Sequence, residues 1–140
     1  VKVSVEPDSG KVWLTRVAES LDCGKAINPM SVEGQMEGGS AQGLGWGLWE
    51  QMVYAKDGRN LNAGFLDYHI PTSLDMPDIE TVLVEMPTIN GPFGAKGVGE
   101  PPITPGIAAV QEAIRDAIGV DIHEVPFIPE RVRAAIKAKV

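Results

Sequence analysis

Residues 91–102 carry the side chains of this sequence that are best suited to chemistry. They read GPFGAKGVGEPP, with several glycines, one lysine and a single carboxylate, Glu100, which two prolines follow. Closely spaced glycines allow a backbone to approach another group or to adopt conformations that other residues avoid. Pro101 and Pro102 restrict the backbone just after Glu100. The pattern therefore predicts a loop that aims one carboxylate at one point.

Other interpretations of this loop remain open from the sequence alone. A glycine-rich run is a weak signal, and a tight surface turn with a solvated glutamate fits it as well. A non-catalytic module could bind an anion or a nucleotide through the backbone N–H groups of the loop. The carboxylate of Glu100 would repel such an anion, so it favours proton abstraction over anion binding. A domain that serves only in assembly is a further interpretation.

The composition indicates a globular domain and argues against several classes of protein. With 140 residues, 44% of them apolar, the chain is long enough to bury a core as a single domain over residues 1–140. A formal net charge of −7 argues against binding to nucleic acid or to an anionic membrane. The sequence has no apolar run of spanning length and no signal peptide, so we expect a cytoplasmic protein.

Few thiol and imidazole groups are present, which argues against a metal site made by protein ligands alone. Cys23 is the single cysteine, which excludes an internal disulfide, and only His69 and His123 could join it in a metal site. We interpret Cys23 as a small buried apolar residue. Because Val1 lies within a strand-like run, we expect the chain to be a part of a longer protein or a processed subunit.

The elements that position the loop begin with a predicted β-hairpin. Residues 1–5 and 12–17 alternate apolar and polar side chains, and residues 7–10 between them carry a turn signal. A glycine-rich helix is predicted over residues 30–52. Glycine in a helix costs about 1 kcal/mol per residue relative to alanine, so we expect close packing to bury this helix.

The second half of the sequence predicts two strands and two further helices. Residues 53–55 and 79–85 have strand patterns. One helix is predicted from a cap at Thr104 to a stop at Gly119, and another begins at Pro129 and ends near Ala138. This order of elements predicts an α+β fold, in which the glycine-rich helix and the two further helices pack on a mainly antiparallel sheet.

Five collinear motifs run through the chain: DCGKAINP, VEGQMEGGSAQGLGWGLWE, FLDYHIPTSLDMPDIE, GPFGAKGVGEPP and EVPFIPERV. Together they resemble the C-terminal part of the molybdopterin-binding large subunit of the xanthine dehydrogenase, aldehyde oxidase and carbon monoxide dehydrogenase family. The resemblance covers essentially the whole chain. Each motif alone is moderately specific, and their common order makes the resemblance strong.

The resemblance implies a molybdenum-dependent oxidoreductase that oxidises an aldehyde, an N-heterocycle or carbon monoxide with oxygen from water. It implies that Glu100 is the general base, which takes a proton from the metal-bound hydroxyl group. The residues that would lie along the cofactor and offer it backbone N–H groups are Lys96, Gly97, Val98 and Gly99. Gln35 and Gln42 are interpreted as the polar face of a packed helix rather than as cofactor contacts.

The resemblance also implies a cofactor and partners that this chain does not supply. The cofactor of the family is molybdopterin, in bacteria usually the cytosine dinucleotide form, and electrons leave through iron–sulfur clusters and a flavin. The implied partners are an upstream domain of the molybdenum subunit and iron–sulfur and FAD subunits or domains, in an oligomeric assembly. The chain alone is expected to lack the cofactor and to be inactive. The substrate stays open, because most residues of the pocket lie upstream in this family.

Overall fold

The computed structural model describes residues 1–139, which form a three-stranded sheet and three α-helices. The strands are β1 (Lys2–Val5), β2 (Val12–Asp22) and β3 (Ile79–Val84). The helices are α1 (Pro29–Leu48), α2 (Gly106–Ile118) and α3 (Pro129–Ala138). Two short 3₁₀ turns, Pro92–Gly94 and Pro101–Ile103, lie between β3 and α2. The strand order β1-β2-β3 makes the long strand β2 the centre of the sheet.

The predicted hairpin at the start of the chain is confirmed. β1 and β2 pair antiparallel, with Val5 opposite Val12. The N–H of Gly10 donates to the carbonyl of Glu6 at 2.8 Å and closes the turn. Gly10 has a φ of +79°, and a Cβ there would lie 2.1 Å from the carbonyl oxygen of Pro129. Glycine at this position therefore allows the turn to lie directly against the start of α3.

The prediction of a mainly antiparallel sheet is wrong, because the sheet is mixed. β3 pairs parallel with residues Val17 to Asp22 of β2 over six residue pairs, whereas β1 and β2 share four. Between β2 and β3 the chain passes through α1 and residues 49–78. A crossover of this length brings the next strand back in the same direction, whereas a tight turn would reverse it.

The segment between α1 and β3 has little regular structure. The strand predicted over residues 53–55 is reduced to an isolated bridge between Tyr54 and Asn60. The hydroxyl of Tyr68 donates to the carboxylate of Glu50 at 2.7 Å, which ties the segment to the residues just after α1. A Cβ on Gly45 would lie 2.9 Å from Pro71, so the segment also packs on the last turn of α1.

α1 ends earlier than predicted and is buried on one side only. Asn28 caps its first turn by accepting from the N–H of Ser31 at 3.2 Å. The helix ends at Leu48, because Trp49 leaves the helical conformation with a φ of −130°. The buried side faces the sheet and α2. The residues of the other side that are exposed include Gly34, Gln35, Gly38, Gln42 and Trp46.

The glycines of the buried side of α1 allow close contact with the 3₁₀ turn Pro101–Ile103. A Cβ on Gly39 would lie 2.6 Å from the Cβ of Pro102. A Cβ on Gly43 would lie 2.4 Å from the carbonyl oxygen of Ile103. Real Cβ atoms do not approach other atoms this closely, so larger residues at these positions would push the turn away from α1.

The main core lies between the sheet and the three helices. Its buried members are Val12, Leu14, Val17, Leu44, Leu48, Val110, Ile114, Ile122, Phe127 and Val132. α2 begins at Gly106, beyond the cap predicted at Thr104, because the 3₁₀ turn occupies the preceding residues. The predicted stop at Gly119 is confirmed by its left-handed φ of +70°, and α3 begins at Pro129 as predicted.

Candidate functional site

The glycine-rich loop, residues 91–100, is fixed at its start to the chain that follows β2. The N–H of Lys96 donates to the carbonyl of Cys23 at 3.0 Å, and the N–H of Lys25 donates to the carbonyl of Gly94 at 2.9 Å. Between these bonds Gly24 has a φ of +67°, and a Cβ there would lie 2.3 Å from the oxygen of Gly94. Glycine at position 24 therefore lets the loop lie directly on this backbone.

Lys96 is also engaged within the chain through its side chain. Its ammonium donates to Oδ2 of Asp22 at 2.5 Å, and Oδ1 of Asp22 accepts from the N–H of Gly24 at 3.0 Å. The hydrogen bond from Lys96 lowers the pKa of Asp22, and the one from Gly24 lowers it further. The N–H that Lys96 was expected to offer to a cofactor is thus used by Cys23, and Lys96 fixes the position of the loop.

The residues that follow Lys96, 97–100, have free backbone donors. Among residues 1–139, their four N–H groups make no hydrogen bond within the chain. A Cβ on Gly97 would meet no atom within 4 Å, and one on Gly99 would meet only Oε1 of Gln35 at 3.6 Å. Neither glycine has a positive φ. Because the fold itself does not require glycine here, the open space suits the approach of a group from outside the chain.

Val98 attaches this part of the loop to the body of the protein. Its side chain is half-buried and packs on a small buried cluster. The members of this cluster are Cys23, Ala26, Val32 and Met36. The interpretation of Cys23 as a buried residue is confirmed, since 1% of it is exposed. The loop is therefore held by one apolar side chain, while the glycines on both sides of it are exposed.

Glu100 lies at the end of the loop with its carboxylate free. The residue is exposed, and within residues 1–139 its carboxylate takes part in no ion pair. Its carbonyl accepts from the N–H of Ile103 at 3.0 Å, which joins Glu100 to the 3₁₀ turn that follows. Pro102 in this turn is buried against Gly39 of α1. The backbone of Glu100 is thus fixed from both sides, while its carboxylate is accessible.

The exposed side of α1 lies beside the loop at Gln35 and Gly99. Oε1 of Gln35 lies next to Gly99, and Gln42 is exposed further along the helix. Both glutamines lie on the exposed polar face of the packed helix α1. A Cβ on Gly34 or on Gly38 would meet no atom within 4 Å, so these glycines leave the helix backbone open beside the loop. Gln35 therefore joins the candidate site as a side chain that hydrogen-bonds to no group within the described residues.

Glu85 helps to hold the loop and was not found from the sequence. Its Oε1 accepts from the N–H of Ala26 at 2.7 Å and from Nζ of Lys25 at 2.9 Å. The bond from Lys25 is the first cause of its lowered pKa. Glu85 lies 60 positions from Lys25 in the sequence, so no local pattern indicates this contact.

The described residues contain neither a metal cluster nor a membrane span. No group of three or more His, Cys, Asp and Glu side chains in residues 1–139 could hold a metal ion. No helix in that range is long and apolar enough to cross a membrane. The chemistry of the loop therefore consists of backbone donors, one amide side chain and one carboxylate.

The mixed α/β domain therefore presents free backbone donors beside an accessible carboxylate. The sequence profile of the molybdopterin cofactor-binding domain matches residues 1–77. The match covers more than half of the chain, and the chain belongs to this family. Residues 97–100 lie beyond the matched range.

Relatives in longer proteins extend over almost the whole chain. The xanthine dehydrogenase molybdenum-binding subunit of Escherichia coli O157:H7 is 39% identical over 133 residues, which cover 94% of this chain and 18% of that protein. The nicotine 6-hydroxylase large subunit of Paenarthrobacter nicotinovorans is 40% identical over 138 residues, which cover 96% of this chain and 17% of that protein. The crystal structure of quinoline 2-oxidoreductase from Pseudomonas putida 86 superposes with a TM-score of 0.91 at 39% identity. The match covers 96% of this chain and 18% of that one. The chain thus spans less than a fifth of these proteins.

Proposed function

We propose that this chain is the C-terminal part of the molybdenum-binding subunit of a molybdenum hydroxylase, and that Glu100 is its general base. The observation that carries the proposal is the run of free N–H groups at residues 97–100, which ends at an accessible carboxylate on a fixed backbone. A general base needs a carboxylate that is held in place and can reach the proton it accepts. The family assignment supplies a cofactor that such donors can bind.

The residues present fit molybdopterin, which is an anionic group rich in oxygen, nitrogen and sulfur acceptors. The N–H groups of residues 97–100 have no partner in the chain and are open to such acceptors, and the side chain of Gln35 adds an amide beside Gly99. When bound, the cofactor supplies the metal centre that accepts electrons from the substrate. In this proposal Gly97, Val98 and Gly99 bind through their N–H groups, whereas Lys96 positions them.

Glu100 then has one task, which is to hold a proton on a carboxylate oxygen after it leaves the reacting hydroxyl. The 3₁₀ turn that follows, with its two prolines, restricts the backbone from which this carboxylate projects. A module that only binds an anion or a nucleotide gives the accessible carboxylate of Glu100 no role, whereas a general base requires one, so the base is favoured. The charge of this carboxylate assists a base, which must attract a proton.

The proposal extends to partners and substrate class. Several large apolar side chains are almost fully exposed: Phe65 at 97%, Leu74 at 96%, Ile89 at 99% and Phe93 at 89%. We propose that the remainder of a longer subunit covers these side chains. We propose iron–sulfur and FAD subunits as further partners, the cytosine dinucleotide form of the cofactor, and an aldehyde or N-heterocycle as substrate, as the names of the relatives suggest. The chain alone is then inactive.

Glu100→Gln in the complete enzyme tests the proposal. The amide has nearly the same shape as the carboxylate but accepts no proton, so turnover per molybdenum should fall by about 10²–10⁴-fold. The molybdenum content should stay unchanged, and kcat and kcat/KM should fall together. Glu130→Gln, which changes an exposed carboxylate at the start of α3, is the control and should leave turnover unchanged. Near-normal turnover per molybdenum in Glu100→Gln would show that Glu100 is not the base.

A further inference from the structure

Glu19 and Ser40 form a hydrogen-bonded pair beneath the residues that follow Glu100. Glu19 is half-buried on the face of β2 that also carries Val17, a position where an alternating strand places an apolar side chain. Ser40 is 5% exposed and is the one buried polar side chain among residues 1–139. Its hydroxyl donates to Oε2 of Glu19. The pair therefore joins the centre of the sheet to the middle of α1.

This pair is unfavourable for stability alone. Burial disfavours the charged form of Glu19 and raises its pKa, and the hydrogen bond from Ser40 only partly opposes this rise. No Lys, Arg or His of the described residues forms an ion pair with Glu19. Two apolar side chains of similar volume would fill the same space without the cost of partly burying a carboxylate. The location of the pair therefore calls for another explanation.

A short path of contacts leads from the pair to Glu100. Ser40 follows Gly39, and a Cβ on Gly39 would lie 2.6 Å from Pro102. Glu19, Ser40 and Pro102 all line one small cavity of about 70 Å³. The turn that contains Pro102 is bonded back to the carbonyl of Glu100 through the N–H of Ile103 at 3.0 Å. The position of α1 on the sheet therefore determines the position of Pro102.

We propose that Glu19 and Ser40 are positioning residues for Glu100. Their hydrogen bond fixes α1 on β2 next to Gly39, which contacts Pro102. It therefore fixes the position of the turn from which Glu100 projects. The small cavity beside the pair gives α1 and the turn room to shift when the bond is lost. The inference rests on the proposed role of Glu100 as the base. A displacement of about 1 Å at a reacting group costs on the order of 10²-fold in rate, so even a small shift is measurable.

The test compares variants of the pair in the complete, cofactor-loaded enzyme. Ser40→Ala removes the donor and should lower kcat per molybdenum by about tenfold, since it moves the base without removing it. KM and molybdenum content should stay near those of the wild type. Glu19→Gln should keep near-normal kcat, because its amide oxygen still accepts from Ser40. Ser20→Ala, an exposed hydroxyl change on the same strand, is the control and should have no effect.

A second readout needs neither cofactor nor turnover. In the cofactor-free subunit, amide hydrogen exchange of Ile103 and Thr104, whose N–H groups donate within the turn, should be faster in Ser40→Ala than in the wild type, and unchanged in Ser20→Ala. If Ser40→Ala does not fold, Ser40→Cys replaces it, since the thiol has a similar size and donates only weakly. Exchange that stays at the wild-type rate in the folded variant overturns the inference.

A double variant separates this inference from the proposed function. In a Glu100→Gln background, Ser40→Ala should cause no further loss of kcat, because no base remains to be positioned. A full additional loss in that background overturns the inference, as does wild-type kcat in Ser40→Ala alone. If Glu100→Gln by itself keeps normal turnover, the proposed function fails, and the inference fails with it. If Glu100→Gln is inactive but Ser40→Ala is normal, only the inference fails.

Discussion

The ammonium of Lys96 lies 2.5 Å from the carboxylate of Asp22, and this ion pair closes the base of the loop that ends at Glu100. The same carboxylate accepts from the N–H of Gly24, where the chain turns away from β2. One side chain thus fixes both segments of the site. Both partners of the pair are 37% exposed, so solvent weakens it, and its main effect is on geometry.

Asp22→Asn should reduce the dependence of stability on acid pH. The folded state lowers the pKa of Asp22, so its contribution to stability is present above the unfolded pKa of about 3.9 and is lost as pH falls through the lower, folded pKa. The wild type should therefore lose stability below about pH 4, and the variant should lose less over that range. Thermal unfolding of the 140-residue chain between about pH 2 and 6 measures the difference.

Asp116→Asn is the matched control, because Asp116 is an exposed aspartate of α2 that makes no ion pair in the described residues. This variant should keep the pH dependence of the wild type. If the stability of Asp22→Asn and of the wild type falls equally with decreasing pH, the Lys96 contact does not stabilise the charged form of Asp22 in solution.

Glycines on the two sides of α1 should respond oppositely to alanine. Gly34→Ala meets no atom within 4 Å and should stabilise the chain by about 1 kcal/mol, because alanine has the higher helix propensity. Gly39→Ala places a Cβ 2.6 Å from Pro102 and should destabilise the chain. Overpacking costs about 1–3 kcal/mol, and because the 2.6 Å contact is severe we expect a cost above the gain of about 1 kcal/mol in helix propensity. Denaturant unfolding of both variants checks the signs.

If Gly34→Ala and Gly39→Ala both raise the free energy of unfolding by similar amounts, the close packing of α1 on the turn at Pro102 is contradicted. Two destabilising effects would mean that the exposed side of α1 is covered even in the isolated chain, for example by self-association. Sedimentation of Gly34→Ala and of the wild type distinguishes that case, since only an associating chain changes mass with concentration.

Local signals predicted the hairpin, the end of α2 and the start of α3, because each depends on residues close together in the sequence. Gly119 ends α2 with the left-handed φ of +70° that glycine tolerates, and Pro129 begins α3. The parallel pairing of β3 with β2 had no such signal. It depends on a crossover whose direction follows from tertiary packing and not from the pattern of the strand.

The same distinction applies to the candidate site. The motif at residues 97–100 is a local pattern, so the sequence could indicate a loop that aims Glu100. The residues that hold this loop come from distant positions, as the bond between Asp22 and Lys96 illustrates. Glu19 has a weak sequence signal, because it is a carboxylate at an inward position of an alternating strand. Its partner Ser40 on α1 could not be identified without the packing of helix on sheet.

Gly97→Ala tests whether a group from outside the chain lies against the loop. A Cβ at this position meets nothing within 4 Å, and its φ is not positive, so the cofactor-free chain should tolerate alanine within about 1 kcal/mol. In the complete enzyme the methyl group should contact the bound cofactor. An overpacked contact of about 1–3 kcal/mol corresponds to about 5- to 150-fold weaker binding, so the molybdenum content should fall.

Gly64→Ala is the matched control for this prediction, because a Cβ on Gly64 also meets nothing within 4 Å and Gly64 has no positive φ. It lies in the segment between α1 and β3, where it lines a pocket with Met52, Phe65 and Tyr68 rather than with residues of the loop. Both variants should keep the unfolding midpoint of the wild type, whereas only Gly97→Ala should lose molybdenum and molybdopterin. Equal cofactor content in the two variants would show that no bound group approaches residue 97, and the open space at the loop would then have no role in binding.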